Sequence, residues 1–361
     1  MFLFSFVGVL SAFRINLEQM DPSKYKNVFT STPCKTLYSQ LKTDSVCSTK
    51  IKANSAIVAV PGQNSTSIAI LPLTMESDTT IKLIRPPLLL NHGKNNIQDF
   101  EFCPYNERLI ASATKSDCIV RIWEIPQHID VSGSGDLVEI DAAATYLASH
   151  EKRIDSLKFH PICPGVLVTS SVDATIKVWD LEASQDMITL NSSNVAVTNM
   201  DFDRNGNIIV AGYSDSTINF FDPRGSKDAI LSMDSKHQQS KGCMVKYLNP
   251  DPFFISSGFN SLNQREIKVW DTRNTHAPTE SIVIPESGVG TLIPYWDTSL
   301  PILYMAARGE SMRIFEFTGS LKFISLLKSE KLPMAVDLLP KAMCDSNKCE
   351  IGRFIRLGYG S

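Results

Sequence analysis

The feature that most constrains this chain is a strand ending that recurs along most of its length. Arg121-Ile122-Trp123, Lys177-Val178-Trp179-Asp180 and Lys268-Val269-Trp270-Asp271 each close a run in which apolar and polar residues alternate. Ile218-Asn219-Phe220-Phe221-Asp222 and Met312-Arg313-Ile314-Phe315-Glu316 are weaker copies. Ile68-Ala69-Ile70-Leu71 and Arg353-Phe354-Ile355-Arg356 are weaker still. Taken at positions 71, 123, 179, 221, 270, 315 and 355, the marks are spaced 52, 56, 42, 49, 45 and 40 residues apart. The average, about 47, is the length of a four-stranded unit of the WD40 type. Seven marks predict an all-β chain folded as a seven-bladed WD40-type β-propeller.

The interior of each unit has the matching pattern. In the third, His150 precedes the alternating run Ile154-Asp155-Ser156-Leu157-Lys158-Phe159 and the turn His160-Pro161. The apolar strand Val166-Leu167-Val168-Thr169, a turn at Asp173 and a strand ending at Trp179 follow. A buried indole N–H needs an acceptor, and a threonine hydroxyl, a histidine ring and an aspartate can carry the connection from strand to turn. His150, Thr169, Asp173 and Trp179 are assigned to such a structural relay. The competing reading of these residues as a His/Asp/hydroxyl catalytic set is set aside, because the repeat already accounts for each. The chain is therefore read as a non-enzyme with no catalytic residues and no cofactor.

Composition narrows the function classes. A hydrophobic fraction of 43% and a charged fraction of 20% belong to a folded protein with ample core. A net charge of −3 gives no global attraction to nucleic acid or to an anionic membrane. The eight cysteines are scattered without a C-x-x-C pair, and the six histidines lack ligand spacing. A zinc site or disulfide framework is thus not expected, and the cysteine usage suits a reducing cytoplasm. Ser132-Gly133-Ser134-Gly135-Asp136 lacks the strand-to-helix setting of a phosphate loop and reads as an inter-blade excursion.

The two ends need separate treatment. Residues 1–13 are almost wholly apolar, too short to span a bilayer, preceded by no basic residue and followed by no A-x-A site. Residues 1–22 are accordingly expected to lie outside the fold, residues 23–357 to form the propeller, and residues 358–361 to be a short tail. An outer closing strand is expected at about residues 24–29, paired with the segment around Arg353 to Leu357. Residues 21–60 carry six lysines against two aspartates, a local surplus of four positive charges.

Several runs together resemble the coronins. They are Cys103-Pro104-Tyr105-Asn106, Ile125-Pro126, Phe221-Asp222-Pro223-Arg224, Gly258-Phe259-Asn260, Arg265-Glu266-Ile267-Lys268-Val269-Trp270-Asp271, Leu339-Pro340-Lys341 and Lys348-Cys349-Glu350-Ile351-Gly352-Arg353-Phe354. Ser23-Lys24-Tyr25-Lys26-Asn27 and Lys50-Ile51-Lys52-Ala53 look closest to the first propeller of the tandem-propeller coronins. The resemblance implies a seven-bladed propeller, binding to filamentous actin and a role in organising the cytoskeleton. For the tandem subfamily it also implies vesicle traffic at the Golgi. Lys24, Lys26, Lys50 and Lys52 are the candidate actin contacts. Short coronins carry a basic residue a few positions before the first-blade strand. The matching place here, near Cys47, is not basic, so either Lys50 substitutes or the affinity is weaker. The sequence ends without the coiled coil or second propeller of the family, so the resemblance implies a partial member, monomeric and associated with the cytoskeleton in the cytoplasm. The alternative is a scaffold that binds other proteins through its propeller faces, in membrane traffic or ubiquitin ligation, without actin.

Overall fold

The computed structural model describes residues 7–17, 28–30, 34–39, 41, 51–73, 83–84, 86–127, 137–191, 195–239, 242–248, 252–284, 290–308, 310–327, 335–345, 347 and 349–359. The chain divides into two compact units. One comprises Met1–Ser116, Val120–Tyr146 and Leu327–Ser361; the other comprises Asp117–Ile119 and Leu147–Leu326. Strands dominate both. Among the described residues the named helical element is the 3-10 turn Lys341–Met343, and no helix is long and apolar enough to cross a membrane.

The strands form seven sheets, one for each mark. The second unit holds four antiparallel sheets of four strands. The first of them runs Ile154–Phe159, Val166–Ser171, Thr175–Asp180 and Gln185–Asn191. The next consists of Val197–Phe202, Ile209–Tyr213, Thr217–Phe221 and Leu231–Asp234. Met244–Tyr247, Phe253–Phe259, Arg265–Asp271 and Glu280–Ile284 form the third. Ile293–Trp296, Ile302–Ala306, Met312–Phe317 and Leu321–Leu327 form the fourth. In every one, each strand pairs with its neighbour in sequence, which requires only short connections.

Burial separates the middle strands from the outer ones. In Val166–Ser171 every residue from Leu167 to Ser171 is buried, because the strand has a sheet face on either side. The outer strand Gln185–Asn191 is largely exposed. Val168, Ile176 and Val178 pack on Met200, Phe202, Ile209 and Ala211 of the following sheet. Ile255, Ile267 and Val269 pack likewise on Leu303, Met305 and Phe315. Each such residue contributes about 1.5–3 kcal/mol on burial, so the core is a series of sheet-to-sheet layers.

Two sheets of the first unit depart from four strands. Lys52–Ala53, Ile57–Pro61, Ser67–Pro72 and Leu88–Asn91 gain Val138–Ile140 as a fifth, parallel to Leu88–Asn91. The glycine-rich excursion at 132–136 lies outside the described residues. Ile97–Phe102, Leu109–Thr114 and Ile119–Glu124 form the core of the second sheet, continued by Thr145–Ala148.

The last sheet corrects four expectations. Val7–Leu17, expected outside the fold, lies between Glu350–Tyr359 and Cys34–Ser39, antiparallel to both, with Leu10 opposite Leu357 and Phe13 opposite Phe354. Val28–Thr30, the described part of the expected closing strand, pairs with Val7–Leu17 and not with the chain end; residues 24–27 lie outside the described residues. Gly358 and Tyr359, expected in the tail, continue the strand. Ile355 sits in the second strand of its sheet, after Ala335–Leu338, whereas the other six marks sit in third strands. The physical reason is visible in the leader: Val7, Val9, Phe13, Ile15 and Leu17 recur at every second place but one, the period of a strand. Such a segment satisfies the free N–H and C=O groups of a sheet edge.

Removing residues 1–17 should therefore speed hydrogen exchange at those amides of 350–359 that face Val7–Leu17. Protection that stays the same, measured by amide exchange with mass spectrometry, would show that another strand covers this edge.

Candidate functional site

The four relay residues come together. Trp179 is 1% exposed and its Nε1–H donates to Thr169 Oγ1 at 2.8 Å. Thr169 Oγ1 lies 2.7 Å from His150 Nε2, and His150 Nδ1 lies 2.8 Å from Asp173 Oδ2. Asp173 also accepts from the Thr175 hydroxyl at 2.6 Å and from the backbone N–H groups of Thr175 and Glu151. One proton arrangement satisfies every atom: indole to threonine oxygen, threonine hydroxyl to His150 Nε2, His150 Nδ1–H to carboxylate.

The electrostatics agree with a neutral ring. Burial lowers the His150 pKa, outweighing the pull of Asp173. Burial alone would raise Asp173, but hydrogen bonds from Thr175, His150 and the Glu151 amide hold it at about 2. A second proton on His150 would turn Nε2 into a donor and strand the Thr169 hydroxyl hydrogen. Thr169 is fully buried and already accepts the indole N–H. This hydroxyl joins strands and has no room to attack a substrate.

The same device occurs twice more, which the sequence reading missed. Trp123 Nε1 donates to Ser112 Oγ at 2.8 Å, and that oxygen lies 2.7 Å from His92 Nε2. Trp270 Nε1 donates to Ser256 Oγ at 2.8 Å, 2.8 Å from His237 Nε2, while His237 Nδ1 meets Glu266 Oε1 at 2.7 Å. The signal was present: in all three cases a histidine stands 19 or 20 residues before the hydroxyl.

A register rule accompanies it. Trp123, Trp179 and Trp270 pair across the sheet with Ile110, Leu167 and Phe254, and the hydroxyl residue is always two places further on. Where the mark is Leu71, Phe221 or Phe315, the equivalent places hold Val60, Ala211 and Met305. At these six marks an acceptor is present where an indole N–H must be satisfied, and an apolar residue stands where the mark brings no such donor.

The lysine candidates fare differently. Lys24, Lys26 and Lys50 lie outside the described residues. Lys52 is half-buried and pairs with Glu101 Oε2 at 2.7 Å. Beside it, Asp337 Oδ2 accepts the Ala53 N–H at 2.9 Å. Burial opposes the Lys52 ammonium, but Glu101, Asp337 and Asp99 outweigh it and raise its pKa. Burial also pushes Asp337 up to about 6, against the opposing effect of Lys52. Lys52 is thus committed to an internal ion pair and is not the freely exposed contact that the charge count suggested. A similar clasp recurs in the other unit, where Asp201 accepts the Tyr247 N–H and pairs with Lys246.

These features can be set beside known proteins. The family described as "WD domain, G-beta repeat" matches residues 143–180 and 185–222, and so contains the whole His150–Trp179 relay. The family described as "Domain of unknown function (DUF1899)" matches residues 18–77, which hold all four lysine candidates. The solved structure of the WD40 domain of Toxoplasma gondii coronin superposes with a TM-score of 0.77 at 23% identity, covering 89% of this chain and 84% of that one. A coronin-like protein of Saccharomyces cerevisiae is 28% identical over 341 residues, 91% of this chain and 51% of the relative.

The chain is a homologue of the coronins.

Human coronin-7 matches at 24% over 315 residues, 86% of this chain and 32% of its own length. The coronin homologue thus spans about half the length of the yeast relative and about a third of coronin-7. Its fold is all-β, a WD40-type β-propeller, with the seven sheets corresponding to seven blades.

Two outcomes follow for this coronin homologue. Trp179→Ala should cost about 3–5 kcal/mol, and Thr169→Ala about 1–3 kcal/mol by leaving the indole N–H unpaired. The double variant Trp179→Phe/Thr169→Ala should cost less than the sum of its single variants by about 1 kcal/mol, since Phe221 with Ala211 is the chain's own version of that pair. Denaturant titration of the four proteins measures this, and strict additivity would dismiss the register rule. The acid limb carries the second. A carboxyl held low in the folded state stabilises above its ordinary value near 4 and loses that contribution as pH falls towards about 2. The stability gap between the wild type and Asp173→Asn should be full above pH ~4 and close towards pH ~2. A gap that is independent of pH would mean that Asp173 does not titrate in that window.

Proposed function

We propose that this chain binds actin filaments as a coronin-type scaffold and acts in the cytoplasm at the cytoskeleton. The observation that carries the reading is the similarity to coronin-like proteins along 91% of the chain. Because the relatives are longer, their partners are transferred here as a proposal.

The physical support is charge. An actin filament is acidic, so a cationic segment is drawn to it even when the whole protein has a net charge of −3. Residues 21–60 form that segment, within the 18–77 family match. Since Lys52 is paired with Glu101, Lys24, Lys26 and Lys50 are the contacts to test. The buried hydroxyl relays give the scaffold rigid strands and offer no nucleophile, consistent with recognition and not catalysis. Other proteins reach it through the propeller faces.

Co-sedimentation with filamentous actin is the deciding experiment. The wild type should pellet at low salt and release as salt screens the attraction. Reversal of Lys24, Lys26 and Lys50 to glutamate should weaken pelleting with unchanged thermal stability. Lys52→Glu should instead lower stability, since it places a third carboxylate beside Glu101 and Asp337. A wild-type chain that never pellets, even at low salt, would replace this reading with a scaffold that acts without actin.

A further inference from the structure

The strand that opens each repeat unit ends in a common way. Its next-to-last residue is Lys52, Glu101, Lys158, Asp201, Lys246 or Asp337, with Tyr295 in the remaining sheet. In chain order the charges alternate in sign. Two of the carboxylates make the same clasp onto another opening strand. Asp201 Oδ2 accepts the Tyr247 N–H at 3.1 Å and lies 3.0 Å from Lys246 Nζ. Asp337 Oδ2 likewise accepts the Ala53 N–H at 2.9 Å, and Lys52 precedes that alanine. The first clasp joins two consecutive sheets in the middle of the array. The second joins the last sheet to the first, where a propeller has to close.

The clasps differ in how their charge is met. Asp201 has a second cation, Lys158, at 3.7 Å. Burial alone would raise its carboxyl, but Lys246 and Lys158 outweigh burial and hold it low. Asp337 is served by Lys52, whose ammonium lies 2.7 Å from Glu101 Oε2 and is therefore shared. The other groups that face Asp337 give it no further cation among the described residues. Glu101 repels it, and Asp99 stands on the strand of Glu101. On Glu350–Tyr359, Ile355 is directly opposite Asp337, Arg353 is bound to Glu350, and Arg356 lies opposite Val336 on the other face. A buried carboxylate with one shared cation is costly, and burial pushes Asp337 up to about 6.

We propose that the Asp337–Ala53 clasp is a proton-operated latch: neutral Asp337 holds the last sheet to the first, and its ionisation loosens that joint while the Asp201 clasp stays closed. Either form of the carboxyl can accept the Ala53 N–H, but only the neutral form rests in the enclosed joint without a cation of its own. Opening exposes the carboxylate to water. It needs to release only the two-residue strand Lys52–Ala53, which pairs with Val58 and Ala59. In the open joint the carboxyl has its ordinary value near 4. The latch is therefore fully closed below pH ~4 and weakens as pH rises through about 6. It is a property of the fold and is independent of actin.

Hydrogen exchange of the full chain, read by mass spectrometry and corrected for the intrinsic rate at each pH, tests the latch against an internal control. From pH ~5 to pH ~7, protection of Lys52–Ala53 should fall about tenfold. Protection of Met244–Tyr247, the strand held by Asp201, should stay level over the same range. Asp337→Asn keeps an acceptor for the Ala53 N–H but has no proton to lose, so its Lys52–Ala53 protection should no longer change with pH. A wild-type ratio between the two strands that is equal at both pH values overturns the proposal. So does an Asp337→Asn protein that keeps the wild type's tenfold change. If Asp337→Asn does not fold, the wild-type ratio decides the matter in the same way.

Discussion

Three indoles in this chain, Trp123, Trp179 and Trp270, are enclosed to within about a percent of their surface. Each carries an N–H that water can no longer satisfy. The hydroxyl two residues beyond its cross-strand partner accepts that bond, and a histidine behind the hydroxyl accepts the next. The sheets depend on this sequence of acceptors. In these three sheets a large aromatic fills the space to the next sheet with its polar edge served, and the serving residue stands two places from the opposing one. Where Phe221 and Phe315 stand instead, Ala211 and Met305 show the acceptor dispensed with.

Packing and electrostatics are coupled through that arrangement. A polar group enclosed between or beside the sheets must find a partner within the protein. Asp173 meets this with four donors and Asp201 with a backbone amide and two lysines. Asp337 does so only partly, and burial raises its pKa. Asp337 therefore acts oppositely to Asp173: it favours the fold in acid and loses that contribution as pH rises through about 6. Arg265 is a further case, a buried cation held by Glu310.

Much of this was legible beforehand. Strand periodicity and strand-end aromatics are local, and six of the seven marks fell in third strands. The relay through His150, Thr169, Asp173 and Trp179 was readable because chemistry requires an acceptor for a buried indole. Its copies at His92 and His237 were readable too, by the same interval, but the group on the far ring nitrogen differs: for His92 it is the Leu90 carbonyl oxygen, for His237 the Glu266 carboxylate. Asp173 is 23 residues from its histidine and Glu266 is 29, so a search for one fixed pattern passes over the second.

What the sequence by itself determined was the kind of unit and its number, because alternation and the needs of a buried indole are set within some fifty consecutive residues. Only the tertiary structure decided which strand completes the last sheet, where residues 1–17 are apolar enough to suggest a leader and regular enough to pair with Glu350–Tyr359. It also decided the fate of individual charges. Lys52 counts as a free cation along the chain, yet folding brings Glu101 to its ammonium and Asp337, 284 residues away, to the neighbouring Ala53 amide. Arg265 reads as one more polar residue of a strand, yet folding buries it against Glu310. Pattern is a property of neighbours in sequence, whereas charge compensation is a property of neighbours in space.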